Sequence, residues 1–286
     1  MKLVSFELGG VASFGAVTEG GLVDLREALQ RRYIDLKELL SSNALSEARQ
    51  AIEGRIVDVR ADRLDEVRWL PVVPNPGKIW CIGLNYAEHA RETGHEVPQA
   101  PVVFLRSQDS QIGHDQAIVR PMESMQLDFE GEIAIIIGTT GRRVPERSAW
   151  DHIAGYACYQ DASVRDWQRH SAQWTPGKNF WRTGGFGPWL LTRDEIPDDA
   201  EMTLVTRLNG QEVQRASTRQ MIHGIAGQIA YLSTIAPLCP GDVIVTGTPG
   251  GIGARRDPPL FMQPGDVVEV EVDRIGILRN TIITDT

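Results

Sequence analysis

Leu127, Asp128, Phe129, Glu130, Gly131, Glu132, followed by Ile133, Ala134, Ile135, Ile136, Ile137, Gly138, sets two glutamates at alternate positions where an apolar run begins. A strand turns successive side chains to opposite faces, so Glu130 and Glu132 share a face, roughly 6–7 Å apart along the chain. Past Glu132 both faces are apolar, which predicts a strand covered on both sides inside a sheet. Two carboxylates at the mouth of such a strand repel each other, and burial adds to the cost of their charge, so a hard divalent cation between them is the economical answer, with a solvated acidic face as the alternative for the pair taken alone. Asp161, which closes the apolar, β-rich run over 153–160, is the candidate third ligand. Three carboxylates with no histidine or cysteine at ligand spacing suit Mg²⁺, Mn²⁺ or Ca²⁺ better than zinc.

Outward from this stretch, 286 residues can bury a full core, as one large domain or as a large domain with a small appendage. A net charge of −9 without any basic run argues against a nucleic-acid partner. Cys81, Cys158 and Cys239 are far apart, odd in number and without CxxC spacing, as in a reduced protein of the cytoplasm. The N-terminus lacks a basic region followed by an apolar stretch, and no apolar run is long enough to span a bilayer. The expectation is a soluble cytoplasmic protein with no membrane partner.

Short strands broken by glycine turns at Gly9, Gly10, Gly20 and Gly21 predict a meander up to about residue 25. Helices are expected over 25–32 and 36–52. Three prolines and a glycine over 70–77 read as a linker, so a small N-terminal α/β domain is expected at 1–70 and the main domain at 71–286. From Lys78 onward, short apolar strands separated by glycine and proline turns predict an α+β, strand-rich fold. One clear helix is expected over 217–235, covering the sheet with its apolar face.

Three further clusters carry chemistry. Asp161, Arg165 and Gln168 fall at i, i+4 and i+7, so a helical turn would set a guanidinium and an amide beside the metal, where they can hold a carboxylate and stabilise an oxyanion. Lys178, in the loop Thr175, Pro176, Gly177, Lys178, could add positive charge. His89 and Glu92 stand at i and i+3 between Gly83 and Gly94, a spacing that lets a glutamate orient an imidazole on a segment able to close as a lid. The run Val245, Thr246, Gly247, Thr248, Pro249, Gly250 ends a strand in a glycine-rich loop, whose Gly247 amide and Thr248 hydroxyl can hold a small carboxylate.

Together, Gly83 to Glu92, Asp128 to Gly138, Asp161 to Gln168, Lys178 and Thr246 to Gly253 resemble the fumarylacetoacetate hydrolase superfamily, in its prokaryotic-type subgroup of acylpyruvate hydrolases and 2-hydroxyhepta-2,4-diene-1,7-dioate isomerases. The resemblance runs from about Lys78 to the C-terminus, and the region before it is also similar to that subgroup. It implies a mixed β-roll catalytic domain, a homodimer, and Mg²⁺ or Mn²⁺ on Glu130, Glu132 and Asp161. It maps a catalytic dyad onto His89 and Glu92 and a substrate-polarising lysine onto Lys178. Substrate-oxygen contacts map onto Arg165 and Gln168, and the carboxylate-holding threonine onto Thr248. Tyr86, Trp174, Phe180 and Trp181 are expected along the wall that meets the far end of the substrate. Two departures stand out: Arg106 where the family often has lysine, which implies a forked contact to the substrate anion, and Gln160 where asparagine commonly precedes the aspartate.

The expected activity is metal-dependent hydrolysis of a carbon–carbon bond in a 2,4-dioxo acid such as fumarylpyruvate, in the catabolism of aromatic compounds. The same constellation serves a 2-oxo acid decarboxylase of the oxaloacetate type and a 2-hydroxydienoate isomerase. A metal- and carboxylate-binding protein without turnover is the reading from a different class. In each case the partner is a small 2-oxo acid.

Overall fold

A computed structural model describes residues 1–285. Strand Gly131–Ile137, buried along its whole length, lies inside a twelve-stranded sheet between Ile153–Asp161 and Val243–Val245. Its alternation feeds two cores. Ala134 and Ile136 join Tyr159, Phe186, Phe14, Leu36 and Leu39 on one face, whereas Ile133, Ile135 and Ile137 join Leu204, Val270, Ile229 and Leu232 on the other. The second face is covered by a five-stranded sheet, in the order Gln211–Ser217, Thr203–Leu208, Val267–Val272, Gly276–Thr284 and Ile118–Arg120, and by helix Ile225–Ile235. The architecture is the strand-rich α+β fold that the sequence predicts.

The meander of Lys2–Leu8, Val11–Thr18 and Gly21–Asp24 continues the large sheet, because Lys2 and Leu3 pair antiparallel with Leu191 and Leu190. The stretch over 70–77, expected as a linker, is packed. Val72 and Val73 are buried, and the Val72 carbonyl accepts from the Ser5 hydroxyl at 2.9 Å.

Three helices are shorter than expected, each for a local reason. The first is Leu25–Ala28, and the chain turns away where Gln30 and Arg31 take φ of 55° and 57°. The expected helix over 36–52 is two, Leu36–Ser41 and Leu45–Ile52, parted at Asn43 with φ 52°. The expected helix over 217–235 starts as a capped turn, Thr218–Gln220, after which Met221 is drawn into a bridge with Tyr86 and the helix proper runs Ile225–Ile235. Among the described residues no helix is long and apolar enough to cross a membrane.

Candidate active site

Register brings the acids together. Gly131 pairs with Gln160, and the Asp161 amide donates to the Glu130 carbonyl at 2.8 Å, so Glu130, Glu132 and Asp161 emerge at one end of two adjacent strands. One carboxylate oxygen from each lies within 4.8 Å of the others, and all three residues are buried. Gln160 contributes to this geometry, since its side-chain oxygen accepts from the Glu130 amide at 2.5 Å.

The surrounding charges are buried too. Lys178 places Nζ 2.7 Å from Glu130 Oε2 and 2.6 Å from Asp161 Oδ2. Arg165 reaches Asp128 at 2.8 Å and Glu130 at 2.6 Å, so the pairing of Arg165 is with these two acids and not with Asp161. Burial opposes charge on Glu130, but Lys178 and Arg165 outweigh it and bring its carboxyl down to about 2. Burial likewise opposes the Lys178 ammonium, and Asp161 and Glu130 hold it above the usual lysine range. Glu132 is different: burial, Asp161 and Glu130 all push its carboxyl well above the usual range, and its hydrogen-bond partner is the Gly247 amide at 2.5 Å.

These charges supply the fit test for a metal. Four buried carboxylates, Asp128, Glu130, Glu132 and Asp161, face three buried cations, Arg106, Arg165 and Lys178. One negative charge is left over, and it falls on Glu132, a member of the only cluster of potential ligands found among the described residues. An all-oxygen donor set with an uncompensated charge suits a hard divalent cation.

The expected base, His89, stands on the segment expected to close as a lid. Helix Ala87–Glu92 follows Leu84, Asn85 and Tyr86, and His89 Nδ1 lies 2.8 Å from Glu92 Oε1. A carboxylate there favours the proton on Nδ1 and leaves Nε2 as the acceptor. Glu92 Oε2 accepts from the Gly251 amide at 2.9 Å, which fastens the lid to the glycine loop. His89, Glu130, Glu132, Arg165, Gln168, Lys178 and Thr248 all line one cavity of about 110 Å³. Buried Arg165 Nη2 has no partner there, while Arg165 Nη1 donates to Gln168 at 2.9 Å.

Several expected contacts fall elsewhere. Arg106 does not line the cavity, because its guanidinium is enclosed and bonded to Asp161, Ala162 and Thr183. The Gly247 amide goes to Glu132, leaving none for a substrate carboxylate. The Thr248 hydroxyl donates to the Gly131 carbonyl at 3.0 Å and accepts from Gln214, although the residue remains on the cavity wall. Tyr86 is buried behind the lid, its hydroxyl unpartnered, and burial with Glu132 raises its phenol. Of the expected aromatic wall, Trp174 lines the cavity and meets Phe104 edge-on at 5.5 Å. Phe180 instead packs on Trp167, and Trp181 is exposed.

Sequence reading missed Asp128, Asn85 and Gln214. Asp128 accepts from Arg165 and from the Gly253 and Ala254 amides, and its place two residues before Glu130 was the available signal. Buried Asn85 bonds both His223 and Thr246, contacts that no local pattern announces.

The chain is similar to known proteins along nearly its whole length. Over 268 residues, 92% of this chain and 84% of the relative, it is 36% identical to "Oxaloacetate tautomerase Fahd2a, mitochondrial" of Rattus norvegicus. A crystal structure of a putative HpcE protein from Mycobacterium smegmatis superposes with a TM-score of 0.87 at 32% identity, over 99% of both chains. Maleylpyruvate hydrolase from Sphingobium sp. SYK-6, in complex with manganese(II) and pyruvate, superposes at 0.81 with 26% identity over the whole of both chains. The fumarylacetoacetate (FAA) hydrolase C-terminal family matches residues 78–283, which hold the triad, the lid dyad and the glycine loop, and to that family the chain belongs.

Proposed function

We propose that this protein is a divalent-metal-dependent enzyme of 2-oxo acid chemistry and that it interconverts the keto and enol forms of a small 2-oxo acid. The observation that carries the reading is an oriented imidazole, His89, lining one small cavity together with Glu130 and Glu132 of the buried carboxylate triad. Glu130, Glu132 and Asp161 would hold a divalent cation, which would supply polarisation of substrate oxygens. His89 Nε2 takes the proton from the carbon beside the ketone, and Glu92 steadies the imidazolium that results. Return of that proton to oxygen gives the enol. The free Arg165 Nη2 donates toward a negative oxygen, and the Lys178 ammonium adds positive charge next to it.

The size of the cavity supports a small substrate: about 110 Å³ is well under the roughly 300–1,000 Å³ of pockets for drug-sized ligands. The likeness to oxaloacetate tautomerases over nearly the whole chain supports the same reaction.

Hydrolysis of an acylpyruvate is the second reading, favoured by the likeness to maleylpyruvate hydrolase. There His89 takes its proton from a water that attacks the acyl carbonyl. The bond from that carbon to the pyruvate methylene breaks, and the methylene carbon is then protonated.

The test is to incubate Mg²⁺- or Mn²⁺-loaded protein with oxaloacetate, acetylpyruvate and fumarylpyruvate, following enol absorbance and product mass. Faster keto–enol equilibration at unchanged mass is the expected result. Fragments that have gained water establish the second reading instead, and no change in any of these acids overturns both. His89→Ala is expected to lose about 10²–10⁴-fold in rate while keeping its Mg²⁺ affinity.

A further inference from the structure

Of the three guanidinium nitrogens of Arg165, two are engaged. Nε donates to Asp128 Oδ2 at 2.8 Å, while Nη1 donates to Gln168 Oε1 at 2.9 Å and lies 2.6 Å from Glu130 Oε1. Nη2 is buried and unpartnered, on a residue that lines the cavity. Burial opposes the charge of this guanidinium, and Glu130 and Asp128 hold it above the usual arginine range. The two acids differ in their duties. Glu130 belongs to the carboxylate triad, so a bound cation competes with Arg165 for it, whereas Asp128 lies outside that cluster and is free to hold Arg165 throughout.

Asp128 is itself fixed from several sides. Its Oδ1 accepts from the Phe129 and Gly253 amides, both at 2.8 Å, and its Oδ2 accepts from the Ala254 amide at 2.9 Å. The approach at Gly253 requires glycine, because a Cβ there would stand 2.6 Å from Asp128 Oδ1 and overlap the Leu260 carbonyl. The side chain is fully buried and does not line the cavity, so it meets no substrate. It acts as a strut between the backbone at 253–254 and the guanidinium. Two residues earlier in the same loop, the Gly251 amide donates to Glu92, the residue that orients His89. One short run of backbone therefore sets both the imidazole and the guanidinium. Granting that the cavity takes a 2-oxo acid through its enolate, we infer that Asp128 is a positioning residue, which through Arg165 Nε aims Nη2 at the enolate oxygen and registers that donor against His89. A donor aimed in advance stabilises the developing charge without reorganising as it forms.

Oxalate, a planar dianion that presents the oxygens of an enolised 2-oxo acid, reads this donor without turnover, by calorimetry on protein saturated with Mg²⁺. Asp128→Asn keeps the size of the side chain but removes its charge and one acceptor. Loss of a negative charge alone would tighten the binding of a dianion, whereas loss of positioning weakens it, and the expected result is oxalate bound roughly 10- to 100-fold more weakly. Arg165→Gln is expected to lose as much, and Arg165→Gln/Asp128→Asn no more than Arg165→Gln alone, because a residue that acts only through Arg165 has nothing left to position. A merely structural role would add its loss to that of Arg165→Gln. Ala254→Pro is a second arm that spares both side chains: it removes one amide donor to Asp128 in the first turn after Ile252, where proline is tolerated. It is expected to weaken oxalate roughly two- to tenfold, and not at all in the Arg165→Gln background. Oxalate bound by no form, equal or tighter binding in Asp128→Asn, or losses that add in the double variant overturn the assignment. Turnover is judged separately: non-additive losses in a protein that transforms no 2-oxo acid leave the strut standing and remove the reaction, and additive losses in an active enzyme do the reverse.

Discussion

Glu132 is the residue on which the charge of the site turns. Its folded-state carboxyl titrates above the ordinary glutamate range, so the folded chain holds that proton more tightly than the unfolded one does. Its contribution to stability is therefore complete below the ordinary range and is lost as pH rises through the folded value. Glu130 has the opposite sign: its contribution is present above the ordinary 4.5 and is lost as pH falls toward about 2. A cation needs Glu132 ionised, so metal binding should expel a proton at pH values below the Glu132 titration. Calorimetric titration of Mg²⁺ in two buffers of different ionisation enthalpy is expected to reveal that proton in the wild type and not in Glu132→Gln. The same variant should bind Mg²⁺ weakly, yet in the metal-free state at pH values above the Glu132 titration it should be about 1–3 kcal/mol more stable, because an amide keeps the Gly247 hydrogen bond without an uncompensated buried charge. A lower melting temperature than wild type in the presence of a chelator would contradict the charge assignment.

At the scale of elements, the site depends on how the lid is fastened at both ends. Glu92 and Thr93 attach its C-terminal end to the Gly251 amide and Arg255. Asn85 holds its start, donating to the His223 and Thr246 carbonyls and accepting from the His223 amide at 2.8 Å. The fit is close: Gly247, at φ +103°, has no room for a Cβ, which would lie 2.6 Å from Asn85 Cβ. Asn85→Ala is expected to cost about 1–3 kcal/mol through buried partners left unpaired. It should also raise amide exchange across 86–94 while strand Gly131–Ile137 stays protected, and unchanged exchange over the lid would show that Asn85 does not hold it. The His89–Glu92 pair and the Glu130–Glu132 pair were legible in the sequence because each is a short-range pattern, i to i+3 on a helix or alternate positions leading into an apolar strand, whereas Asp161 was legible only as an acid closing a second apolar run. Asn85 was not legible, because its partners lie at His223 and Thr246 and are brought near only by the fold. The helix breaks at Asn43 and at Gln30 and Arg31 were missed because ordinary apolar spacing continues across them.

At the scale of the whole molecule, the active-site strands sit in the middle of a sheet whose far part is the N-terminal meander. Strand Lys2–Leu8 lies directly against Gly184–Thr192, which in turn pairs with the Asp161 strand, so two strand pairings connect the chain terminus to a triad residue. The face of the sheet opposite the second core is covered by Leu36, Leu39 and Leu40 from the N-terminal helices, packed with Ala134, Ile136 and Tyr159. Removing residues 1–70 would uncover apolar surface at about 25 cal/mol per Å² and leave Leu190 and Leu191 of strand Gly184–Thr192 without their strand partner. The composition break over 70–77 suggests two units, yet backbone pairing and one apolar cluster run across it. The chain is therefore expected to unfold in one cooperative calorimetric transition, with Tyr159 in the large sheet and Phe14 in the meander losing their packing together. Leu39→Ala, a cavity in the N-terminal helices, should lower that single transition by about 2–5 kcal/mol and weaken Mg²⁺ retention at the same temperature as it melts the meander. Two separate transitions, with Leu39→Ala shifting only the first, would show that residues 1–70 fold apart from the sheet that carries the site.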